Sequence, residues 1–91
     1  MSITHHAADQ EFVTIRQGYQ AELAYARPAN DVIDFTHTFV DEGLRGQGVA
    51  EELARAGLDF ARKEGLKVKT SCVFMAGFVK RHRAEYEDIL A

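Results

Sequence analysis

The 91-residue sequence predicts an α/β fold, with an antiparallel three-strand meander, one additional parallel strand and two helices. Three segments rich in β-branched and aromatic residues follow one another through short polar turns, which is typical of an antiparallel meander. Apolar residues then recur with a helical period over 49–63. A further β-branched segment after that helix needs a crossover connection, which places it parallel to the third strand.

The predicted elements have short connections. The meander consists of the segments 12–16, 19–25 and 32–40. Gln17-Gly18 suits a tight hairpin turn, and the Pro-Ala-Asn-Asp run at 28–31 suits a second turn. The first helix is expected to end near residue 63, the fourth strand to span 68–72, and the second helix to span 74–83. We expect the whole chain, 1–91, to form one domain, with residues 1–10 loosely ordered.

Two faces of these elements are predicted from their periodicity. In the third strand, strict alternation places Ile33, Phe35, His37 and Phe39 on one face, so that His37 belongs to an aromatic face. In the first helix, an apolar stripe is expected to pack on the sheet. Its members are Val49, Leu53, Ala56 and Phe60.

Composition limits the classes of function. A net charge of −3 argues against a nucleic-acid partner. No apolar run has the length of a membrane span, and the first residues lack the pattern of a secretory signal. Cys72 is the only cysteine, so it cannot form an internal disulfide, and we expect a cytoplasmic protein. The histidines and the cysteine show no convincing metal-ligand spacing apart from the adjacent pair His5-His6, so no metal site is expected.

The turn Arg45-Gly46-Gln47-Gly48-Val49-Ala50 connects the third strand to the first helix. A helix start leaves backbone N–H groups unpaired, and its dipole favours an anion. The turn therefore predicts a phosphate or pyrophosphate site. Its donors would be the backbone amides of Gly46, Gln47, Gly48, Val49 and Ala50, with Arg45 adding a positive charge. The alternative is an ordinary glycine-rich helix start with an arginine facing solvent.

The turn differs from two familiar phosphate loops. It is not a Walker A loop, because no Gly-Lys-Ser/Thr follows the glycines. It is not a dinucleotide-binding fingerprint, because a third glycine is missing and the preceding strands are antiparallel.

The order of elements around this turn resembles the GNAT acetyltransferase superfamily. Its acetyl-CoA motif reads Gln or Arg, two residues, Gly, one residue, and Gly or Ala, and Arg45, Gly48 and Ala50 fill those positions. The wider run of 34–40, 44–50 and 65–68 before Cys72 resembles a branch of small GNAT-like N-acetyltransferases of about this length. The resemblance covers roughly residues 10–86 and implies a trimmed GNAT core.

The resemblance implies acetyl-CoA as cosubstrate and an amine as acceptor, whose identity the sequence does not reveal. The pantetheine arm would run beside Phe39 and Val40, hydrogen-bonding to their backbone. Most GNAT enzymes carry helices between their first two strands that help to form the acceptor site, and Gln17-Gly18 leaves no room for them. A partner chain or a homo-oligomer could supply the missing wall. The alternative function is a weakly catalytic or non-catalytic acetyl-CoA-binding or CoA-binding module that acts with a partner.

Two residues are candidates for the chemistry. His37 is either a general base near the thioester or a hydrogen-bonded core residue. Cys72 is either a reactive thiol beside the acetyl group or a small buried hydrophobic residue. As a reactive thiol it would accept the acetyl group and pass it on, or lie next to it without reacting.

Overall fold

A computed structural model describes residues 3–91 and contains a five-stranded sheet in the order β1-β2-β3-β4-β5. The strands are β1 (Thr4–His6), β2 (Glu11–Arg16), β3 (Tyr19–Ala29), β4 (Val32–Val40) and β5 (Lys67–Thr70). The helices are α1 (Val49–Lys63), α2 (Val73–Arg81) and the short α3 (Arg83–Tyr86). The strands β1 to β4 pair antiparallel, and β5 pairs parallel to β4 after the α1 crossover. The predicted α/β class is confirmed.

The strand β1 was not predicted, because residues 1–10 were expected to be loosely ordered. Its central residue, His5, explains the difference. The His5 ring stacks on Phe12 with centroids 4.2 Å apart and meets the edge of Phe60 at 4.4 Å. His5 Nε2 also lies 2.6 Å from the Tyr25 hydroxyl. Residues 1 and 2 lie outside the described part of the chain.

The helices α1 and α2 pack on the same face of the sheet. The guanidinium of Arg55 in α1 lies 5.4 Å from the centroid of the Phe78 ring in α2, and both helices contact β4 and β5. The buried residues of α1 are Val49, Leu53, Ala54, Gly57, Leu58 and Ala61. The predicted stripe is therefore partly confirmed, because Ala56 and Phe60 lie at its half-buried margin. No helix within residues 3–91 is long and apolar enough to cross a bilayer.

A β-bulge in the middle of β4 reverses its two faces. Ala24 pairs with His37, whereas the next residue of β3, Tyr25, pairs with Phe35, so Thr36 is an extra residue in β4. An extra residue inverts the alternation that follows it. The predicted aromatic face therefore ends at Phe35, which is fully buried.

Beyond the bulge, Thr38 and Val40 face the helices. His37 and Phe39 lie on the opposite, open face; His37 is exposed, and Phe39 is 41% exposed. The expectation that His37 belongs to a buried aromatic face is wrong, because the bulge moves it to the other side of the sheet.

Candidate functional site

A cavity of about 290 Å³ opens at the N-terminus of α1. It is bounded by the end of β4, the turn that follows and the first turn of the helix. The lining residues are Val40, Leu44, Arg45, Gly46, Gly48, Val49, Ala50 and Glu51. The glycine-rich turn singled out in the sequence therefore borders a cavity, with only Gln47 absent from the wall.

The turn is held by local contacts on its β4 side. The Asp41 carboxylate accepts a hydrogen bond from the Gly43 amide at 2.9 Å and starts a single turn of 3-10 helix, Glu42–Leu44. The Leu44 side chain is fully buried and anchors this turn in the core. The side chain of Gln47 donates to the Gly43 carbonyl at 3.2 Å, which explains why Gln47 does not line the cavity.

Two glycines keep the cavity open. Gly46 has a φ of +79° and Gly48 a φ of +75°, values that residues with a side chain rarely adopt. Among residues 3–91, a Cβ at Gly46 would meet no atom within 4 Å, and one at Gly48 would approach only Glu51 Oε1, at 3.9 Å. A side chain at Gly48 would therefore project into space that the described part of the chain leaves empty. This space and its backbone donors fit a phosphate group.

The backbone amides of residues 46–50 are free to bind an anion. None of them has an acceptor among residues 3–91, and the first helical bond runs from the Glu52 amide to the Gly48 carbonyl at 3.1 Å. Unpaired amides at a helix start carry a partial positive charge. Arg45 is exposed and forms no ion pair with the described residues, so its charge is also available. Four of the five predicted donors therefore belong to residues that line the cavity, and Gln47 is the exception.

A gap beside this cavity separates β4 from the start of α2. The strand β5 pairs with β4 only as far as Phe35, and the last backbone hydrogen bond runs from the Cys72 amide to the Phe35 carbonyl at 2.9 Å. From Thr36 to Val40, β4 has no paired strand on this side among residues 3–91. The two strands therefore diverge towards the cavity.

The ladder between β3 and β4 fixes which backbone groups face the gap. The Asp41 amide donates to the Gln20 carbonyl at 3.1 Å. In an antiparallel ladder, bonded and non-bonded pairs alternate, so the backbone groups of Phe39 point to β3 and those of Thr38 and Val40 point into the gap. The backbone of Val40 is therefore accessible from the gap, whereas that of Phe39 is directed at β3. The cofactor-binding roles of both residues stay predictions.

Cys72 lies at the edge of the gap. It was expected to end the last strand, but β5 ends at Thr70 and Cys72 is the N-cap residue of α2. Its half-buried Sγ lies 3.3 Å from the Thr38 hydroxyl oxygen. The Asp34 carboxylate accepts bonds from the amide and hydroxyl of Ser71, at 3.0 and 2.7 Å, and so fixes the segment before the thiol.

The structure does not bring the two candidate catalytic residues together. Cys72 contacts Thr38 on the helix side of β4, whereas His37 lies on the open face opposite Ala24. No acidic or basic side chain within residues 3–91 is hydrogen-bonded to Cys72. That part of the chain also contains no cluster of three potential metal ligands. The role of His37 as a base stays a prediction.

Sequence reasoning missed an ion pair next to the cavity. The Arg16 guanidinium donates to both carboxylate oxygens of Glu52, at 3.0 and 2.9 Å, and so joins β2 to the first turns of α1. This hydrogen-bonded pairing raises the pKa of Arg16 and lowers that of Glu52. The two residues are 36 positions apart, and no local pattern marks such a pair.

Comparison with known proteins agrees with this architecture. The model of a family described as GCN5-related N-acetyl-transferase matches residues 11–89. Protein NATD1 of Gallus gallus is 31% identical over 84 residues, which cover 90% of this chain and 76% of that protein. Protein NATD1 of Bos taurus is 36% identical over 63 residues, which cover 69% of this chain and 56% of the bovine protein. This chain therefore matches only about half of the bovine relative.

A solved structure has the same fold. The NMR solution structure of a GCN5-like N-acetyltransferase candidate from Staphylococcus aureus superimposes with a TM-score of 0.75 at 29% identity. The match covers 99% of this chain and 87% of that one.

Proposed function

Because the chain belongs to the GCN5-related N-acetyltransferase family, we propose that it transfers an acetyl group from acetyl-CoA to an amine. One observation carries the proposal: the cavity at the start of α1 is continuous in position with the gap between β4 and the start of α2. Val40 belongs to both, since it lines the cavity and directs its backbone into the gap. An elongated ligand with a phosphate at one end fits this arrangement.

The chain's own groups have distinct tasks in this proposal. The amides of residues 46–50 bind the pyrophosphate, and Arg45 offsets part of its charge. Backbone groups of Thr38 and Val40 hydrogen-bond the pantetheine arm. Cys72 then borders the acyl group at the end of this arm. Acetyl-CoA supplies an acyl carbon that is activated as a thioester.

The protein accelerates acetyl transfer mainly by positioning the two reactants. Holding two reactants in a productive geometry removes much of the entropic barrier to their reaction. Backbone N–H groups of β4 that face the gap are suited to stabilise negative charge developing on the acyl oxygen. The acceptor is an amine of unidentified structure. Because Gln17 and Gly18 connect β2 directly to β3, a partner chain or second copy is the proposed source of the missing acceptor wall.

A second candidate function is binding of CoA or acetyl-CoA without efficient transfer. It is favoured by the surroundings of Cys72, whose side-chain hydrogen-bond partner within residues 3–91 is the Thr38 hydroxyl. A thiol without an adjacent base is a weak nucleophile near neutral pH. In this function the protein presents the cofactor to a partner that supplies the catalytic groups.

Calorimetry with acetyl-CoA and with CoA, followed by an acetyl-transfer screen, tests both functions. The screen uses polyamines, amino acids and lysine peptides as acceptors. Binding with turnover of at least one amine supports the enzyme, and binding without turnover supports the binding module. Absence of binding to folded protein at millimolar ligand would contradict both.

A further inference from the structure

The first turns of α1 carry two glutamates whose surroundings differ. Glu51 lines the cavity and has no hydrogen-bond or ion-pair partner among residues 3–91. Glu52 is bound by Arg16 through two hydrogen bonds, at 3.0 and 2.9 Å. Carboxylates stabilise a helix start, but they also repel an anionic ligand bound there. Pairing Glu52 with Arg16 reduces this repulsion.

Arg16 is held firmly in this position. Its side chain is 9% exposed, and its Nε donates to the Thr14 hydroxyl at 3.2 Å. The guanidinium is always protonated and matches a carboxylate through two parallel bonds. A fixed positive charge therefore lies beside the carboxylate of Glu52.

The distance to the cavity makes this charge relevant. With a helical rise of about 1.5 Å per residue, the backbone of Glu52 lies about 6 Å along the axis from that of Gly48, so Glu52 belongs to the first turn of the helix. Charges on the first turn are those that act on an anion at a helix start, and the screening length at physiological ionic strength is about 8 Å. An unpaired Glu52 carboxylate would therefore act on a pyrophosphate bound at the amides of residues 46–50.

We propose that Arg16 is a positioning residue that neutralises Glu52 and so makes the start of α1 able to accept a pyrophosphate. The inference rests on the proposed function, because it concerns the same ligand site. The effect of variants distinguishes this charge role from a purely structural role of the ion pair. A structural role predicts that removing either partner weakens ligand binding, whereas a charge role predicts opposite effects for the two partners.

The test compares CoA affinity by calorimetry in four proteins: the parent, Arg16→Met, Glu52→Gln and the double variant. Relative to the parent, Arg16→Met adds one negative charge at the helix start and Glu52→Gln removes one, whereas the double variant keeps the parental charge. We expect Arg16→Met to bind CoA at least threefold more weakly than the parent. Glu52→Gln should bind equally or more tightly, and the double variant should return to within twofold of the parent.

Two controls sharpen the comparison. The loss in Arg16→Met should shrink between 50 and 300 mM NaCl, because salt screens charge effects. Glu64→Gln removes an exposed carboxylate at the other end of α1 and should leave CoA affinity unchanged. If Arg16→Met does not fold, Arg16→Lys carries the test, since it keeps the charge and should retain the parental affinity.

The outcomes separate this inference from the proposed function. If the parent does not bind CoA, the proposed function fails. If the parent binds CoA but the double variant binds no better than Arg16→Met, or Glu52→Gln is weakened as much as Arg16→Met, the proposed function stands. Arg16 is then an anchor of α1, and the inference is overturned. A threefold or greater loss of CoA affinity in Arg16→Lys would have the same meaning.

Discussion

The Cys72 thiol lies 3.3 Å from the Thr38 hydroxyl, at the point where β5 has left β4 and α2 begins. This contact spans the two walls of the gap. It exists because the bulge at Thr36 turns Thr38 towards the helices. The only thiol of the chain is thereby placed at the end of the gap proposed for the acyl group.

A thiol reagent should label Cys72 in the free protein, because its side chain is half-buried rather than enclosed. Saturating acetyl-CoA should slow this labelling, measured by intact-mass spectrometry. We expect protection without a lasting acetyl adduct, since no base is bonded to the thiol within residues 3–91. Cys72→Ser is the control for the site of labelling. Equal labelling rates with and without acetyl-CoA would remove Cys72 from the site.

His37→Gln should leave the melting temperature and the affinity for acetyl-CoA unchanged, because the side chain is exposed on the open face. Acetyl transfer should change less than tenfold, because the acyl group is proposed to lie beside Cys72, and His37 is on the opposite side of β4. Losing a general base typically costs about 10²–10⁴ in rate. A hundredfold loss of transfer with unchanged binding would therefore identify His37 as the base and contradict the expectation that it lies outside the acyl site.

The order of elements could be predicted from sequence because each signal is local. Short turns, periodic apolar residues and the glycines of 43–48 predict the local backbone structure from residues that are close together in the chain. The proposed phosphate site belongs to this class, since its donors would be consecutive backbone amides. Its candidate residues are therefore visible in the sequence.

The remaining features depend on contacts between distant segments. Strict alternation in 32–40 predicted one face for His37, but the bulge at Thr36 arises from pairing with β3. The bond between Arg16 and Glu52 joins β2 to α1, and β1 is ordered by aromatic contacts of His5. Local periodicity contains no information on such pairings.

Stability should fall as the pH is lowered through the titration of His5. Burial, with the nearby His6 charge, lowers the pKa of His5 from its ordinary value of 6.5. Between that lowered pKa and about 6.5 the unfolded chain binds more protons than the folded one, so the free energy of unfolding decreases with falling pH. Denaturant titrations of the parent at pH 5–7 should show this slope.

The variant His5→Phe keeps an aromatic ring against Phe12 and should lose most of the pH slope, with His37→Gln as the matched control that retains it. Unchanged slopes in both variants would show that other groups cause the pH dependence.

Gly57→Ala should lower the melting temperature. A Cβ at this position would lie 2.8 Å from Phe35 Cε1 and 3.0 Å from Leu23 Cδ2, and both side chains are fully buried. Overpacking of this kind costs about 1–3 kcal/mol, and most of this range exceeds the gain of about 1 kcal/mol from replacing glycine in a helix.

The matched control is Gly77→Ala in α2, where the nearest atom is the flexible Arg81 Nη1 at 3.4 Å. Its melting temperature should be equal to or above that of the parent. A Gly57→Ala protein that melts as high as Gly77→Ala would contradict the close packing of α1 on β4.

The binding of acetyl-CoA to Gly48→Val and Gly65→Val tests the central claim most directly. The two glycines flank α1 with φ values of +75° and +70°, and a Cβ at either position would meet no atom of residues 3–91 closer than 3.9 Å. The two substitutions should therefore cost similar stability, but only Gly48 lines the cavity. Loss of one or two charge-assisted hydrogen bonds, each worth about 1.5–3 kcal/mol, exceeds a tenfold change in affinity.

Calorimetry on the folded variants should therefore give an acetyl-CoA dissociation constant raised more than tenfold in Gly48→Val and unchanged in Gly65→Val. If Gly48→Val is folded and binds acetyl-CoA as tightly as the parent, the turn at 45–50 is not the phosphate site.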